Sequence, residues 1–514
     1  MTLPPSSPAA PDLNVLLITA DQWRGDCVGY AGHPHVRTPH LDALAKEGTA
    51  FLAHYAQAAP CAPARACLYT GLYQMRNRVV GNGTPLDARH DTIAKLALRT
   101  GFRPKLFGYT DQADDPDGLA PADPRRYTYE GVLPGFVPRL AMTEDAGAWR
   151  GHLLARGYSQ AADIATIHLP KDAPADPPSL APAVYAAEEA ETAFVADHVI
   201  RWLDEIPRRA PFFAHVSFLR PHPPLIAPEP YASLHDPDEG APFVGRASAA
   251  DEAALHPFLA WHLPRIGKAS FRTGANGPIS EWGERDRRVL RAIYWGLIAE
   301  VDAAIGRIVA ELKTRGLYER TLIVFTSDHG EMMGDHHALG KFGFFDAAYH
   351  IPLIVRDPRR PEGHGRRVDA FTESVDVAPT IAEALGAAMP GADGRALTPF
   401  LAGENPAGWR DAVHWEYDFR SLGEEAPLGL DRDACSLVVR RERDRKYVHF
   451  AGLKPLLFDL ADDPHETIDR AADPAYAGER LRMAEALLAW RARHLERRYT
   501  GMLLTEAGPI GVAR

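Results

Sequence analysis

The chain has 514 residues, and its 57 lysines and arginines against 68 aspartates and glutamates leave a net charge of −11. That balance, with no long charged blocks, lacks the basic stripe of a nucleic-acid binder, so a substrate anion has to be captured by local side chains and not by the field of the whole molecule. Four cysteines are too few for a disulfide framework, no apolar run approaches the roughly 18 residues of a membrane span, and 46% hydrophobic with 24% charged residues is an ordinary globular composition.

Met1-Thr2-Leu3-Pro4-Pro5-Ser6-Ser7-Pro8 has no basic n-region, and the first apolar run, Val15 to Ala20, is too short for a signal h-region, so a soluble cytoplasmic protein is expected. Asn14 to Ala20 instead has the continuous apolar pattern of a strand buried on both faces of a parallel sheet. Pro211 to Phe218, Thr321 to Ser327 and Ile351 to Val355 read the same way. Leu290, Ile293, Leu297, Val301, Ile305, Ile308 and Leu312 recur at spacings of three and four and predict a helix with one apolar stripe. Strands alternating with helices predict a large doubly wound, mixed α/β sheet flanked by helices.

Residues 112–185, rich in Pro, Asp and Ala, read as an excursion over the surface that forms a wall above a site, and 227–285 is similarly irregular. From about residue 395 the character changes. Cys435 to Arg440, Lys446 to Ala451 and Pro455 to Leu460 are short strands followed by a helix near 475–496. The expected division is a catalytic α/β domain over 1–394 and a small C-terminal antiparallel-sheet-plus-helix subdomain over 395–514.

Two acidic clusters stand where predicted strands end. Asp21-Gln22 follows the first strand, and Asp328-His329-Gly330-Glu331 follows the strand at 321–327. Ligands of open α/β sheets bind at the carboxyl ends of strands, so the two clusters can converge on one cation, whereas either aspartate alone could simply cap a helix. Two carboxylates, an amide oxygen and an imidazole suit a hard or borderline divalent ion, with His favouring manganese over calcium. Zinc on thiolates is not supported, because the remaining cysteines lack CxxC spacing. His222 lies between prolines in Arg220-Pro221-His222-Pro223-Pro224, and Lys341 lies between glycines in Gly340-Lys341-Phe342-Gly343; both can be aimed at a substrate anion.

The remaining motif is Pro60-Cys61-Ala62-Pro63-Ala64-Arg65 leading into Thr70-Gly71. Cys-x-Pro-x-Arg followed by Thr-Gly resembles the signature of type I sulfatases and phosphonate monoester hydrolases, in which the cysteine is oxidised to formylglycine (3-oxoalanine). Cys67 carries no such pattern and is expected in the core. The Asp21 and Asp328 clusters, the His222 segment, Gly334-Asp335-His336-His337, Lys341, Glu373-Ser374-Val375-Asp376 and Asp459 to Glu466 complete an ordered set across nearly the whole chain. The chain thus resembles the phosphonate monoester hydrolase and arylsulfatase group of the alkaline phosphatase superfamily.

The resemblance implies a hydrolase of sulfate monoesters, phosphonate monoesters or phosphodiesters. By position, Asp21, Gln22, Asp328, His329 and the formylglycine made from Cys61 would hold one divalent ion (Mn2+ or Ca2+), and Arg65 would hold the formylglycine hydrate. Asn82, Tyr109, His222 and Lys341 would contact the transferred group or the leaving oxygen, His222 or Lys341 as proton donor. It further implies maturation by a formylglycine-generating enzyme and a homodimer or homotetramer. An unmodified Cys61 thiolate, its pKa lowered by nearby cations, is the simpler nucleophile, and the chain would then be a metal-dependent phosphodiesterase or phosphatase. A catalytically inactive anion-binding protein of the same fold is the reading from another class. One departure stands out. Gly108-Tyr109-Thr110-Asp111 places a carboxylate where the resemblance implies a threonine-rich segment, and Asp111, if it faces the site, would repel a dianion or serve as a base.

Overall fold

The computed structural model describes residues 13–207, 209–420, 427–496, 500, 502–506 and 508–511; the Met1 to Pro8 segment lies outside them. Val15 to Ala20, weighed above as a signal segment, belongs to the central strand Asn14–Ala20 of an eight-stranded mixed sheet. Across the sheet the strands run Arg366–Val368, Thr49–Phe51, Leu353–Arg356, Thr321–Ser327, Asn14–Ala20, Phe213–Phe218, Lys105–Gly108 and Val137–Ala141. The last five are mutually parallel, and Leu353–Arg356 runs antiparallel to both its neighbours.

Successive side chains of a strand point to opposite faces, and the first strand divides accordingly. Leu16, Ile18 and Ala20 enter one core with Val301 and Ile305 of the long helix Glu284–Thr314. Leu13, Val15 and Leu17 enter a second core with Ala62, Ala66 and Leu68 of the helix Cys61–Thr70. A strand buried on every residue is thus explained by helices on both faces.

The C-terminal part forms a five-stranded sheet. Ala412–Asp418, Ser436–Glu442, Arg445–Phe450 and Leu456–Asp459 run antiparallel to one another, and Ala58–Ala59 adds a fifth strand parallel to the first. The sheet therefore borrows backbone from the N-terminal region immediately before Cys61. The helix Ala477–Arg493 buries Met483, Leu487 and Trp490 in a third core with Cys67, Tyr73 and Tyr447, where Cys67 was expected.

Two strand starts shift, and one strand appears where none was expected, for identifiable reasons. The strands expected from Pro211 and Ile351 begin at Phe213 and Leu353, because Pro211 and Pro352 have no N–H to give a ladder. The 112–185 excursion supplies the edge strand Val137–Ala141. Only Leu140 of that strand is buried, so it carries no apolar alternation to read. Among the described residues no helix is long and apolar enough to cross a membrane.

Candidate active site

The three central strands end level. Ala20 pairs with Phe218 on one side and with Ser327 on the other, so Asp21, the Arg220–Pro224 loop and Asp328 leave the sheet together. A fourth piece arrives from the helix Cys61–Thr70, whose first residue is Cys61 and whose end is closed by Gly71 at φ +67°, where a left-handed residue is needed. One donor atom each from Asp21, Cys61, Asp328 and His329 gathers so that all lie within 4.8 Å of one another, and all four residues are buried. The Cys61 sulfur is 3.3 Å from His329 Nε2 and 3.9 Å from Asp21 Oδ1.

The donors are oriented by their other contacts. His329 Nδ1 donates to the Gly330 carbonyl at 3.0 Å, which turns the Nε2 lone pair toward the cluster. Asp328 uses Oδ1 to accept from the Gln22 and His329 backbone N–H groups, leaving Oδ2 for the cluster. Neither aspartate caps a helix.

Arg65 lies fully buried beneath them. Its Nε donates to Asp328 Oδ2 at 2.9 Å, Nη1 to Ser217 Oγ at 2.8 Å, and Nη2 to Asp21 Oδ2 at 3.1 Å and to the Tyr109 hydroxyl at 3.0 Å. The Tyr109 hydroxyl donates in turn to Asp21 Oδ2 at 2.6 Å, with the Arg65 guanidinium 4.3 Å above its ring. Arg65 and Tyr109 were expected on the formylglycine hydrate and the transferred group. Here they hold the two carboxylates, since two buried acids side by side need a cation and donors of their own.

Gln22 lies between Glu331 and Lys341. Its Nε2 donates to Glu331 Oε2, and its Oε1 accepts from Lys341 Nζ at 2.5 Å. Glu331 is fixed by the Met333 and Gly340 N–H groups on its other oxygen. Gln22 was expected as a ligand; its oxygen here meets Lys341, and its backbone at φ +65° is the kind of local strain that functional sites hold. His222 gives its Nδ1–H to the Pro223 carbonyl at 2.7 Å, and Arg220, 2% exposed, clamps that loop through the His222 and Pro224 carbonyls. Asn82 is exposed, and its Oδ1 caps the Ala62 N–H at 3.0 Å. Asp111 follows the strand Lys105–Gly108 and is 7% exposed.

Ser217, Gln112, Arg220 and the bridging role of Glu331 were not singled out from the sequence. Ser217 carried one signal, its place at the end of a predicted strand. Gln112, whose Nε2 donates to the Ala62 carbonyl at 2.8 Å, carried none.

Burial, and then the Asp21 charge, raise the Cys61 thiol well above its ordinary range. This corrects the expectation that neighbouring cations lower it; Lys341 acts in that direction and is outweighed. Burial and then Lys341 bring His329 and His222 down to about 3, so both rings are neutral, the form in which an imidazole binds a metal. Burial and the neighbouring Asp21 push Asp328 up to about 7. Two carboxylates, a thiol and a neutral imidazole within that spacing fit a cation with oxygen ligands at 2.3–2.6 Å, since opposite ligands then stand about 5 Å apart.

Residues 13–387 match the sulfatase family model, and the chain belongs to that family. Residues 334–493 also match the model of the N-sulphoglucosamine sulphohydrolase C-terminal region. Among solved structures, the phosphonate monoester hydrolase of Agrobacterium radiobacter is 51% identical with a TM-score of 0.95, covering 98% of this chain and 100% of that one. The phosphonate monoester hydrolase SpPMH of Silicibacter pomeroyi is 38% identical, with a TM-score of 0.91 over 97% and 99% of the two chains. The multifunctional alkaline phosphatase superfamily protein PehA of Trinickia caryophylli is 39% identical over 498 residues, 95% of this chain and 96% of its own. The doubly wound mixed sheet with a C-terminal sheet subdomain is the sulfatase and alkaline phosphatase fold, and the family implies a metal ion and formylglycine at this site.

Proposed function

We propose that this protein is a hydrolase of sulfate monoesters, phosphonate monoesters and phosphodiesters that works with formylglycine at position 61 and one divalent ion, Mn2+ or Ca2+. The observation that carries the reading is the gathering of Asp21, Cys61, Asp328 and His329 donor atoms within 4.8 Å, with Arg65 beneath them. Family membership and the phosphonate monoester hydrolase neighbours support it. So does the raised thiol of Cys61, which disfavours the unmodified thiolate.

Together the hydrated aldehyde and the ion supply a hydroxyl nucleophile at neutral pH, a Lewis acid for the sulfur or phosphorus oxygens, and a second hydroxyl able to expel the bound group. Asp21, Asp328, His329 and, through its amide oxygen, Gln22 would hold the ion. Arg65 bridges the two carboxylates and favours their charged forms. Lys341 brings positive charge to the growing negative charge of the transferred group and carries the proton for the leaving oxygen. His222 presents Nε2, since its Nδ1–H is committed to Pro223. Asn82 presents its Nδ2 donor, and Asp111 faces the bound ester.

The same reading assigns residues 1–394 to catalysis and 395–514 to a subdomain that braces the Cys61 helix. It places the enzyme in the cytoplasm as a homodimer or homotetramer matured by a formylglycine-generating enzyme. Kinetics on the p-nitrophenyl esters of sulfate and phenylphosphonate and on bis-p-nitrophenyl phosphate test the activity, and the mass of the peptide containing position 61 tests the nucleophile. Turnover with an unmodified cysteine would favour a metal-dependent phosphodiesterase or phosphatase. Binding of these anions with no turnover by fully converted, metal-loaded protein would favour an inactive anion-binding protein.

A further inference from the structure

Among the described residues, every carboxylate gathered around Cys61 has partners except one. Asp21 accepts from Tyr109 and Arg65, Asp328 from Arg65 and two backbone N–H groups, and Glu331 from Gln22 and two more. Asp111, more than nine-tenths buried, has no hydrogen bond or ion pair on its carboxylate among the described residues. Burying a charge without a partner is costly, so an unpaired acid held in such a place needs a reason.

Its position is built. The backbone stands at φ +53°, a conformation that Asp tolerates better than a β-branched residue such as Thr. On one side the Thr110 hydroxyl donates to the Gly131 carbonyl and accepts from the Leu133 N–H. On the other, Gln112 Nε2 ties the loop to Ala62, the neighbour of Cys61. The carboxylate lies within electrostatic reach of Arg65, Asp21, Asp328 and Lys341, and of the Cys61 and Tyr69 groups that it acts on. Burial pushes it up to about 7, so it is charged in mildly alkaline solution.

We propose that Asp111 sets the charge of the ester this site accepts: its unpaired carboxylate admits monoanionic esters, disfavours dianionic phosphate monoesters, and favours departure of the dianionic product. The proposal rests on the hydrolase reading above. Sulfate monoesters, phosphonate monoesters and phosphodiesters all carry one negative charge and release a product with one more acidic oxygen. A fixed negative charge near the bound group penalises two charges about twice as much as one. Discrimination then comes from repulsion of the wrong substrate and not from added attraction to the right one.

The test uses the metal-loaded, formylglycine-containing enzyme and its Asp111→Asn and Asp111→Glu variants at about pH 8.5, where a phosphate monoester is a dianion. The p-nitrophenyl esters of phosphate, sulfate and phenylphosphonate share one leaving group, so ratios of kcat/KM report the transferred group alone. Asp111→Asn is expected to raise the phosphate-to-phenylphosphonate ratio by about tenfold or more, and Asp111→Glu, which keeps the charge, to leave it within about threefold. Calorimetry gives a readout free of turnover: Asp111→Asn should tighten inorganic phosphate about tenfold and leave the monoanion methanesulfonate within about threefold. Unchanged ratios together with unchanged phosphate affinity overturn the proposal. So does an equal collapse of all three activities, which would make Asp111 a general base. If the parent enzyme hydrolyses none of the esters, the hydrolase reading fails while the calorimetric comparison still decides whether Asp111 selects charge.

Discussion

Arg65 Nε sits 2.9 Å from Asp328 Oδ2 with neither side chain exposed, and the same guanidinium reaches Asp21 Oδ2 at 3.1 Å. One buried cation therefore bridges the two carboxylates that close the candidate metal site. Replacing Arg65 by Met keeps volume and removes the charge, leaving two adjacent buried acids facing each other. Urea denaturation should register a loss of about 3–5 kcal/mol for the metal-free protein, the cost of breaking a buried pair. Added Mn2+ should recover part of that loss in the variant. Equal stability of variant and parent without metal would remove Arg65 from this role.

Chelation tests the site from the other direction. Asp21, Asp328 and His329 belong to segments far apart in sequence, so an ion bound to them binds the folded chain and not the unfolded one. At a free concentration about 100 times its Kd such an ion adds roughly 2.7 kcal/mol. EDTA should abolish ester hydrolysis and lower the melting temperature, and Mn2+ or Ca2+ should restore both. A melting temperature indifferent to EDTA after exhaustive dialysis would speak against an ion at these residues.

Cys61 heads its helix, buried and in van der Waals reach of His329. Cys61→Ala should fold, melt close to the parent, and lose about 10³-fold or more in kcat/KM, as removal of a nucleophile does. The parent's peptide containing position 61 should run about 18 Da lighter than its cysteine form, returning to about the same mass on hydration. Full activity in the alanine variant would end the formylglycine reading.

The parts legible in the sequence were those whose evidence is local. Asp21 and Asp328 each follow directly on a strand with a continuous apolar centre, and Cys61 lies in a short pattern, so their convergence needed only the rule that ligands gather at strand ends. What Arg65 and Tyr109 hold was not legible, because it depends on partners 44, 88 and 263 positions away meeting at one point. The strand Ala58–Ala59 has two residues and no pattern of its own; it exists because Ala412–Asp418 offers it an edge. Val137–Ala141 hides among Pro and Arg because an edge strand buries almost nothing.

Tyr109 gives its hydroxyl proton to Asp21 at 2.6 Å while accepting from Arg65. Tyr109→Phe deletes both bonds and leaves the ring under the guanidinium. Losing hydrogen bonds to charged partners costs about 1.5–3 kcal/mol, so metal affinity should weaken about 10–100-fold, as for other groups that orient a ligand. Metal titrations followed by activity should show that shift, with kcat at saturating metal changing less than the apparent Kd. A lost kcat with metal affinity intact would place the hydroxyl on the substrate instead.

Glu331 touches none of the four gathered donors, yet it decides which way the Gln22 amide points. A carboxylate on Nε2 and an ammonium on Oε1 allow only one orientation of that amide. Glu331→Gln keeps the shape and the two backbone N–H partners but lets either end of Gln22 face it. Lys341 then loses a guaranteed acceptor and its fixed place. We expect kcat/KM to fall about 10–100-fold, the usual range for a group acting through a ligand's neighbour, with little change in melting temperature. Lys341→Ala should cost more, and the double variant should cost scarcely more than Lys341→Ala alone, because both substitutions remove the same positioned ammonium. Strictly additive losses would show that Glu331 and Lys341 act independently and that the Gln22 amide does not join them.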